Sequence, residues 1–353
     1  MTATTAPRRA PAGPTAPSPA ALRSRRLAVA VVGLAVLVLL VVLDLSVGER
    51  TLPPADVFRS LLGQGDPATD LFVRQLRGPR VVGAVVVGLC LGLSGAITQS
   101  LLRNPLASPD IIGVTAGASC LAVVGLVATS SGFAPSTGGV STAVLSCVGG
   151  LIAGAAVVFL AWRNGLTPRR VILVGLGVNA GLTALTSWLL LRADLADLTS
   201  AMIWLTGSLN GVSTTTVRTA LAGLVVVAAL SLVTGRWLSL LRFGELTVRS
   251  LGVRLSAAQL VQAVLAVVAA SLACAVAGPV AFIAFCAPQL AMVLFRTEGP
   301  PPMAGALVGA ILVVAADVIA RTAFALPLPV GLVTSFCGAP LLLWILLRES
   351  RKA

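Results

Sequence analysis

The sequence predicts an all-α polytopic membrane protein, and three observations support that prediction. Hydrophobic residues make up 57% of the chain and charged residues only 10%, whereas a soluble domain has roughly 45–50% and about 25%. The mean hydropathy is +1.00. The apolar residues are collected in long uncharged runs, several of them near the roughly 20 residues that a spanning helix needs. These properties exclude a soluble globular enzyme and a disordered chain.

The chain begins with a basic segment followed by the first apolar run. Residues 1–26 are rich in Ala, Pro and Thr and contain five arginines, which predicts a disordered basic tail. The uncharged run 27–43 is the first predicted span. A cleaved signal peptide is the alternative, but the run is long for its apolar part and no small-residue cleavage site follows.

The other uncharged runs set the number of spans. The 52 residues of 111–162 are too many for one helix and break at the Ser-, Gly- and Pro-rich segment 130–139. The 41 residues of 255–295 break at Gly278-Pro279. Ten spans are therefore predicted: 27–43, 81–102, two within 111–162, 171–191, 219–235, two within 255–295, 303–320 and 330–347.

The basic residues predict the orientation. Ten spans place both termini on one side of the membrane, and that side receives 17 of the Arg and Lys residues against 8 on the other. Because cytoplasmic loops carry the excess of Arg and Lys, both termini are expected in the cytoplasm. The arginines are not interleaved with aromatic residues, so nucleic acid is not an expected partner.

The composition also limits the chemistry. The chain contains no His, which excludes His-ligated metal sites, His general bases and His-dependent triads. The six cysteines lie inside apolar runs without a CxxC pair, as expected for packed thiols. No catalytic residue, metal site or cofactor is predicted. Four small-xxx-small pairs predict close helix packing: Gly88/Gly92, Gly113/Gly117, Gly150/Gly154 and Gly305/Gly309.

Two groups of charged residues at the outer ends of predicted spans are candidate sites. Arg77 and Arg80 flank Gly78-Pro79 at the start of the second span; they share one helix face and oppose the helix dipole. They either receive carboxylates of an extracytoplasmic partner or reach to lipid phosphates. Asp317 and Arg321 lie four residues apart near the end of the ninth span. They form an intrahelical ion pair, or Asp317 orients Arg321 toward a partner.

A third candidate is the segment 236–256, predicted on the cytoplasmic side. It alternates leucines with arginines, contains Gly244 and Gly252, and is too polar to span a membrane. Short amphipathic helices are expected there, either on the membrane surface or in a groove of a cytoplasmic partner.

Four long motifs carry a resemblance to a known family. Segments 75–119, 243–253, 277–291 and 316–348 resemble, in order and spacing, the iron-siderophore/cobalamin permeases (FecCD type) of bacterial ABC importers. The resemblance covers residues 27–348, nearly the whole chain. Many members carry Pro-His where this chain has Pro288-Gln289, and Pro-Gln is similar to the ferric-catecholate (ferric-enterobactin) type.

The resemblance implies a ten-helix type II ABC importer permease domain at 27–348 with a cytoplasmic tail at 349–353, in the bacterial plasma membrane. It implies a second permease subunit, a heterodimer being favoured over a homodimer. A cytoplasmic ATPase dimer would bind the ATP, and an extracytoplasmic siderophore-binding protein would deliver substrate. The family's docking positions match Arg77, Arg80 and Arg321, with Asp317 as the supporting ion-pair partner. Its coupling-helix positions match Gly244, Glu245, Leu251 and Gly252.

Three alternatives to a ferric-siderophore permease stay open at this point. A cobalamin or haem permease of the same family is the nearest, although the lack of His disfavours a haem path with His ligands. An ATP-independent secondary transporter or an intramembrane enzyme needs ionisable groups within the spans, where Asp317 is nearly the only one predicted. The sequence leaves open which siderophore is carried and which residues line its path.

Overall fold

A computed structural model describes residues 18–48, 51–130, 142–163, 165–241, 255–324 and 326–350. Every regular element within these ranges is helical, as predicted. A π-helical segment, Leu71–Arg77, and a 3₁₀ turn, Pro109–Ile112, accompany thirteen α-helices: α1 Pro19–Ser46, α2 Pro54–Leu61, α3 Pro67–Asp70, α4 Gly78–Leu102, α5 Val114–Ser130, α6 Thr142–Ala161, α7 Pro168–Arg192, α8 Leu195–Leu205, α9 Thr214–Leu241, α10 Leu255–Ala277, α11 Ile283–Phe295, α12 Pro302–Thr322 and α13 Val330–Ser350.

Seven helical stretches of the described chain are long and apolar enough to cross a membrane: Ala20–Ser46, Pro67–Leu102, Thr142–Ala161, Pro168–Arg192, Thr214–Leu241, Leu255–Ala277 and Pro302–Thr322. Four shorter apolar helices accompany them: Val114–Val127, Leu195–Leu205, Ile283–Phe295 and Val330–Trp344. Each predicted span falls on one of these helices, and three fall on short ones. The helix at Leu195–Leu205 was not predicted, because it is half as long as a span.

The first helix begins earlier than predicted. Ser18 is its N-cap, with Oγ accepting a hydrogen bond from the amide of Ala21 at 3.3 Å, and Pro19 is the first helical residue. Residues 19–26, assigned above to a disordered tail, are therefore helical. The rest of that predicted tail, residues 1–17, lies outside the described residues.

Helix α4 is the centre of the bundle. In the helical stretch Pro67–Leu102, which contains α4, 83% of the most apolar 18 residues are buried, against 17% of those in α7. Gly88 and Gly92 of α4 face Gly309 and Gly305 of α12: a Cβ on Gly88 would lie 2.5 Å from the Cα of Ala310, and one on Gly92 would collide with the carbonyl oxygen of Gly305. The prediction that these glycines allow close helix approach is confirmed.

The helix that contains α4 is continuous from Pro67. Pro79 has no amide hydrogen, and its ring would clash with a carbonyl of the preceding turn in a regular α-helix. The preceding residues are π-helical, and the amide of Gly78 bonds to the carbonyl of Val73, five residues back. The wider turn accommodates the proline without ending the helix. Arg77 and Arg80 consequently lie inside a long helix and not at its N-terminus, so the expected conflict with the helix dipole is absent.

Two interrupted stretches precede short helices. Gly113, with φ of 76°, separates the 3₁₀ turn from α5, and Gly278, with φ of 70°, ends α10 before Pro279 and α11. Both conformations lie in the left-handed region that glycine adopts without strain. The interruptions place non-helical backbone inside the bundle, which is tolerated where protein or a polar cavity surrounds it.

Candidate functional site: an arginine cluster and a polar cavity

Arg77 caps the last turn of α1. Its Nη1 donates to the carbonyl oxygens of Leu45 at 2.7 Å and Ser46 at 3.2 Å. Carbonyls at a helix C-terminus lack intrahelical partners and favour a cation. The guanidinium also lies 6.0 Å from the centroid of the Phe72 ring, and only 7% of the residue is exposed.

Arg80 forms a two-pronged ion pair with Asp317 of α12. Its Nε lies 2.8 Å from Oδ2 and its Nη2 lies 2.7 Å from Oδ1. Asp317 is fully buried, so a fixed bidentate partner compensates for taking its charge out of water. The sequence prediction for Asp317 identified only Arg321 as its partner. That pair is the longer one, with 3.9 Å between Arg321 Nε and Asp317 Oδ2.

Arg321 instead reaches α1. Its Nη2 donates to the carboxylate and the carbonyl oxygen of Asp44, and to the carbonyl of Val47 at 3.1 Å. Sequence reasoning missed Asp44 as a site residue. The available signal was an acidic residue placed directly at the end of the first uncharged run.

The five residues Asp44, Arg77, Arg80, Asp317 and Arg321, here called the arginine cluster, connect the ends of α1, α4 and α12. We call this end of the bundle the arginine end. Three guanidinium groups and two carboxylates leave an excess of one positive charge. The side chains of Arg80 and Arg321 are 14% and 10% exposed. The structure therefore brings the three predicted arginines together, and each donates hydrogen bonds inside the chain.

Arg80 makes one further contact, to an exposed loop. Its Nη1 donates to Oδ1 of Asn210, in the segment 206–213 between α8 and α9. Asn210 is exposed, whereas its neighbour Leu209 is buried in the core. Arg80 is thus shared between a buried carboxylate and a surface amide.

A polar cavity of about 440 Å³ lies next to the base of this loop. Hydroxyl and amide side chains of α5 and α7 line it together with the two interrupted stretches. Its residues are Asp110, Thr115, Ala116, Ser119, Asn179, Thr183, Thr186, Ser187, Leu190, Leu205, Pro279 and Ala281. Asn179, Thr183 and Ser187 are spaced four residues apart, so they occupy one helix face. The hydroxyls of Thr183 and Ser187 donate within α7, to Asn179 Oδ1 at 3.4 Å and to the carbonyl of Thr183 at 3.0 Å, and a face that carries an amide and two hydroxyls suits contact with water or protein better than contact with lipid.

Asp110 is the acidic group of this cavity. Its carboxylate accepts hydrogen bonds from the hydroxyls of Thr115 and of Ser108, the latter at 3.3 Å. Asp317 was predicted to be nearly the only ionisable group in the spans, and Asp110 was not predicted as a site residue. Its position next to Pro109, where a helix is interrupted, was the available signal.

At the opposite end of the bundle, a pair of buried amides joins two helices. Gln289 Nε2 donates to Gln99 Oε1 at 2.7 Å and to the carbonyl of Pro105 at 3.3 Å, and Gln99 Nε2 donates to the carbonyl of Phe285 at 3.0 Å. These bonds join α4 to α11. The Pro-Gln pair singled out in the sequence is thus a buried link between helices.

The predicted coupling residues Gly244, Glu245, Leu251 and Gly252 lie outside the described residues. The flanking helices end at Leu241 and begin at Leu255, and both residues belong to one apolar cluster. The described chain contains no group of three or more Cys, Asp or Glu side chains placed to hold a metal.

The chain is similar in sequence to one transport family and to permease proteins of two bacteria. The model of the FecCD transport family matches residues 36–348. The ferric enterobactin transport system permease protein FepG of Escherichia coli is 39% identical, over 86% of this chain and 91% of that protein. The achromobactin transport system permease protein CbrC of Dickeya dadantii is 37% identical, over 92% of this chain and 94% of that protein.

One solved structure supports the same fold. A metal-chelate type ABC transporter in an inward-facing conformation superimposes with a TM-score of 0.78, covering 92% of this chain and 99% of that one. At 23% identity this similarity concerns the fold alone. The helical bundle therefore has the fold of that transporter chain.

Proposed function

The chain belongs to the FecCD transport family, and we propose that it carries a ferric siderophore inward across the bacterial cytoplasmic membrane. It does so as the permease subunit of an ATP-driven importer. The observation that supports the substrate class is the similarity, at 39% and 37% identity, to permeases named for ferric enterobactin and achromobactin. In this proposal ten helices span the membrane, and both termini are cytoplasmic.

We propose the polar cavity as part of the substrate path. Its hydroxyls and amides offer hydrogen bonds of modest strength, while the described cavity residues include no His or Cys. A siderophore already saturates its iron, so the path needs width and weak contacts rather than metal ligands. The exposed polar face of α7 would meet a second permease subunit across this path, because α7 is little buried within the single chain.

The arginine cluster is proposed as the docking site for the extracytoplasmic binding protein. Arg77, Arg80 and Arg321 converge at one end of the bundle and carry one positive charge in excess of Asp44 and Asp317. Asp317 and Asp44 fix the guanidinium groups in place, which reduces the entropy lost when a partner's carboxylates bind. The lipid-anchor alternative requires guanidinium groups directed at lipid, whereas those of Arg80 and Arg321 are directed at buried carboxylates.

ATP hydrolysis is proposed to occur in cytoplasmic partner subunits, with this chain contributing no catalytic group. Gly244, Glu245, Leu251 and Gly252 are the proposed contacts to the ATPase dimer. Replacing Gly252 by Val should abolish transport and weaken co-purification of the ATPase while leaving membrane insertion intact. Full retention of both the complex and substrate-stimulated ATP hydrolysis would refute this assignment.

Uptake in a deletion strain tests the proposed function. Cells lacking this chain are supplied with ⁵⁵Fe-labelled catecholate, hydroxamate and citrate-type siderophores, and separately with labelled cobalamin and haem. We expect loss of uptake of at least one ferric siderophore and its return with the plasmid-borne chain. Loss confined to cobalamin or haem would contradict the siderophore assignment. Uptake that persists without the ATPase would indicate a secondary transporter.

A further inference from the structure

The loop 206–213 lies between the arginine cluster and the polar cavity. Its exposed tip is Asn210, whose Oδ1 accepts a hydrogen bond from Arg80 Nη1. The backbone N–H of Asn210 donates to Ser208 Oγ at 3.1 Å, a bond within the loop that does not involve Arg80. The loop is therefore attached to the arginine cluster through one side chain at its surface.

The base of the same loop is fixed to the cavity wall. The amide of Ser208 donates to the carbonyl of Ala277 at 2.8 Å, and the amide of Gly331 donates to the carbonyl of Gly207 at 3.0 Å. Gly207 has a φ of 75°, and a Cβ there would collide with the carbonyl oxygen of Pro279. Leu205 and Pro279, on either side of this contact, both line the cavity. A shift of the loop is thus transmitted to the interrupted stretch at Pro279, because no space separates them.

Arg80 has unequal partners on its two sides. Nε and Nη2 are held by the buried carboxylate of Asp317, at 2.8 and 2.7 Å, while Nη1 donates to the neutral side-chain amide oxygen of Asn210. A carboxylate is a stronger acceptor than an amide for a guanidinium. An incoming carboxylate would therefore displace Asn210 and leave Asp317 in place.

We propose that Asn210 is a positioning residue that couples docking to the cavity. This inference rests on the proposed function, since it takes the arginine cluster as the docking site and the cavity as the path. While Asn210 holds Arg80, the loop keeps the Leu205–Pro279 wall closed toward the arginine end. When a carboxylate of the binding protein takes Nη1, the tip of the loop leaves Arg80 while its base stays bonded to Ala277 and Gly331, and the Leu205–Pro279 wall opens as the tip moves.

The test measures access of water to the cavity without any binding protein. Ser119, a partly buried cavity residue, is replaced by Cys in a chain whose six native cysteines are replaced by Ala. The full transporter in nanodiscs is treated with the water-soluble reagent 2-(trimethylammonium)ethyl methanethiosulfonate. Asn210→Ala should raise the labelling rate about two- to tenfold, the population change that one ordinary hydrogen bond produces. Asn210→Asp should lower it, because a carboxylate binds Arg80 more firmly.

Ser208→Ala is the matched control. It removes a hydrogen bond inside the same loop but leaves the link to Arg80, so its labelling rate should equal that of the unmodified loop. Opposite shifts for Asn210→Ala and Asn210→Asp support the coupling, since general loosening of the loop moves both in one direction. Equal rates in all variants, or the same rise in Ser208→Ala, would overturn it. No labelling in any variant would instead contradict the cavity as a water-filled path, and with it the path proposed above.

Discussion

The two ends of the bundle use arginine in different ways. At the opposite end, Arg26 donates to the carbonyls of Phe295 at 3.3 Å and Arg296 at 3.2 Å, and Arg103 donates to the carbonyl of Leu241 at 2.7 Å. Each of these arginines caps one helix through carbonyl oxygens. At the arginine end, Arg77 caps α1 in the same manner, but Arg80 and Arg321 bind buried carboxylates.

The difference shows what the carboxylates contribute. Carbonyls alone are sufficient to cap a helix with arginine, as Arg26 and Arg103 demonstrate. Asp44 and Asp317 are therefore not needed for capping. They connect three helices through a single charged network and fix the guanidinium groups of Arg80 and Arg321, whose side chains are 14% and 10% exposed. At the opposite end the neutral pair Gln99–Gln289 joins two helices without presenting charge.

Removing Asp317 should have the largest effect on stability. In Asp317→Ala, Arg80 loses its carboxylate, and breaking a buried pair in this way costs about 3–5 kcal/mol. Asp56→Ala is the control, because the Asp56–Arg59 pair is 3.5 Å long with side chains 41% and 68% exposed, for which about 0–1 kcal/mol is expected. Chemical unfolding in detergent measures both. Equal losses would mean that the network contributes no more than a surface pair.

A smaller loss of stability is expected for a substitution at the contact between α4 and α12, midway between the two ends. In Gly92→Ala the new Cβ meets the backbone of Gly305, and such overpacking typically costs about 1–3 kcal/mol. Gly177→Ala is the matched control, since no heavy atom lies within 4 Å of a Cβ placed there. We expect the melting temperature to fall for Gly92→Ala only. A stable Gly92→Ala would show that α4 and α12 separate readily, and the two ends would then not be held by one rigid pair of helices.

The smallest loss of stability is expected at the opposite end, for a substitution in the neutral Gln99–Gln289 pair. Gln289→Ala removes the bonds to Gln99 and Pro105, and hydrogen bonds between membrane helices contribute about 0.6 kcal/mol on average and about 1.7 kcal/mol at most. Gln64→Ala, at an exposed position, should leave stability unchanged. The same unfolding assay applies. A loss for Gln289→Ala as large as that for Asp317→Ala would remove the distinction between the ends.

Much of the fold could be predicted from the sequence, because helices and close glycine contacts depend on local patterns. Uncharged runs located the helices, and glycines four residues apart marked places of close helix approach, two of which face each other between α4 and α12 in the structure. The partners of Arg80 and Arg321 could not be predicted, because a local pattern shows only neighbours three or four residues away. The sequence pattern therefore pairs Asp317 with Arg321, whereas its main partner in the structure is Arg80 of α4. The cavity escaped prediction for the same reason: Asp110, Asn179 and Pro279 come from three separate segments.

The most direct test of the arginine end as the docking site is a charge-neutral double substitution. Arg80→Gln with Asp317→Asn removes one guanidinium and one carboxylate together, so the net charge is unchanged and both side chains keep hydrogen-bonding groups. The control is Arg59→Gln with Asp56→Asn, an exposed pair on α2 near the same end. The affinity of the siderophore-binding protein for the purified transporter is measured across a salt series. We predict that the Arg80–Asp317 variant loses at least about tenfold in affinity and part of its salt dependence, while the control keeps both. Unchanged affinity and salt dependence in the Arg80–Asp317 variant would contradict docking at this end and leave its arginines a structural role alone.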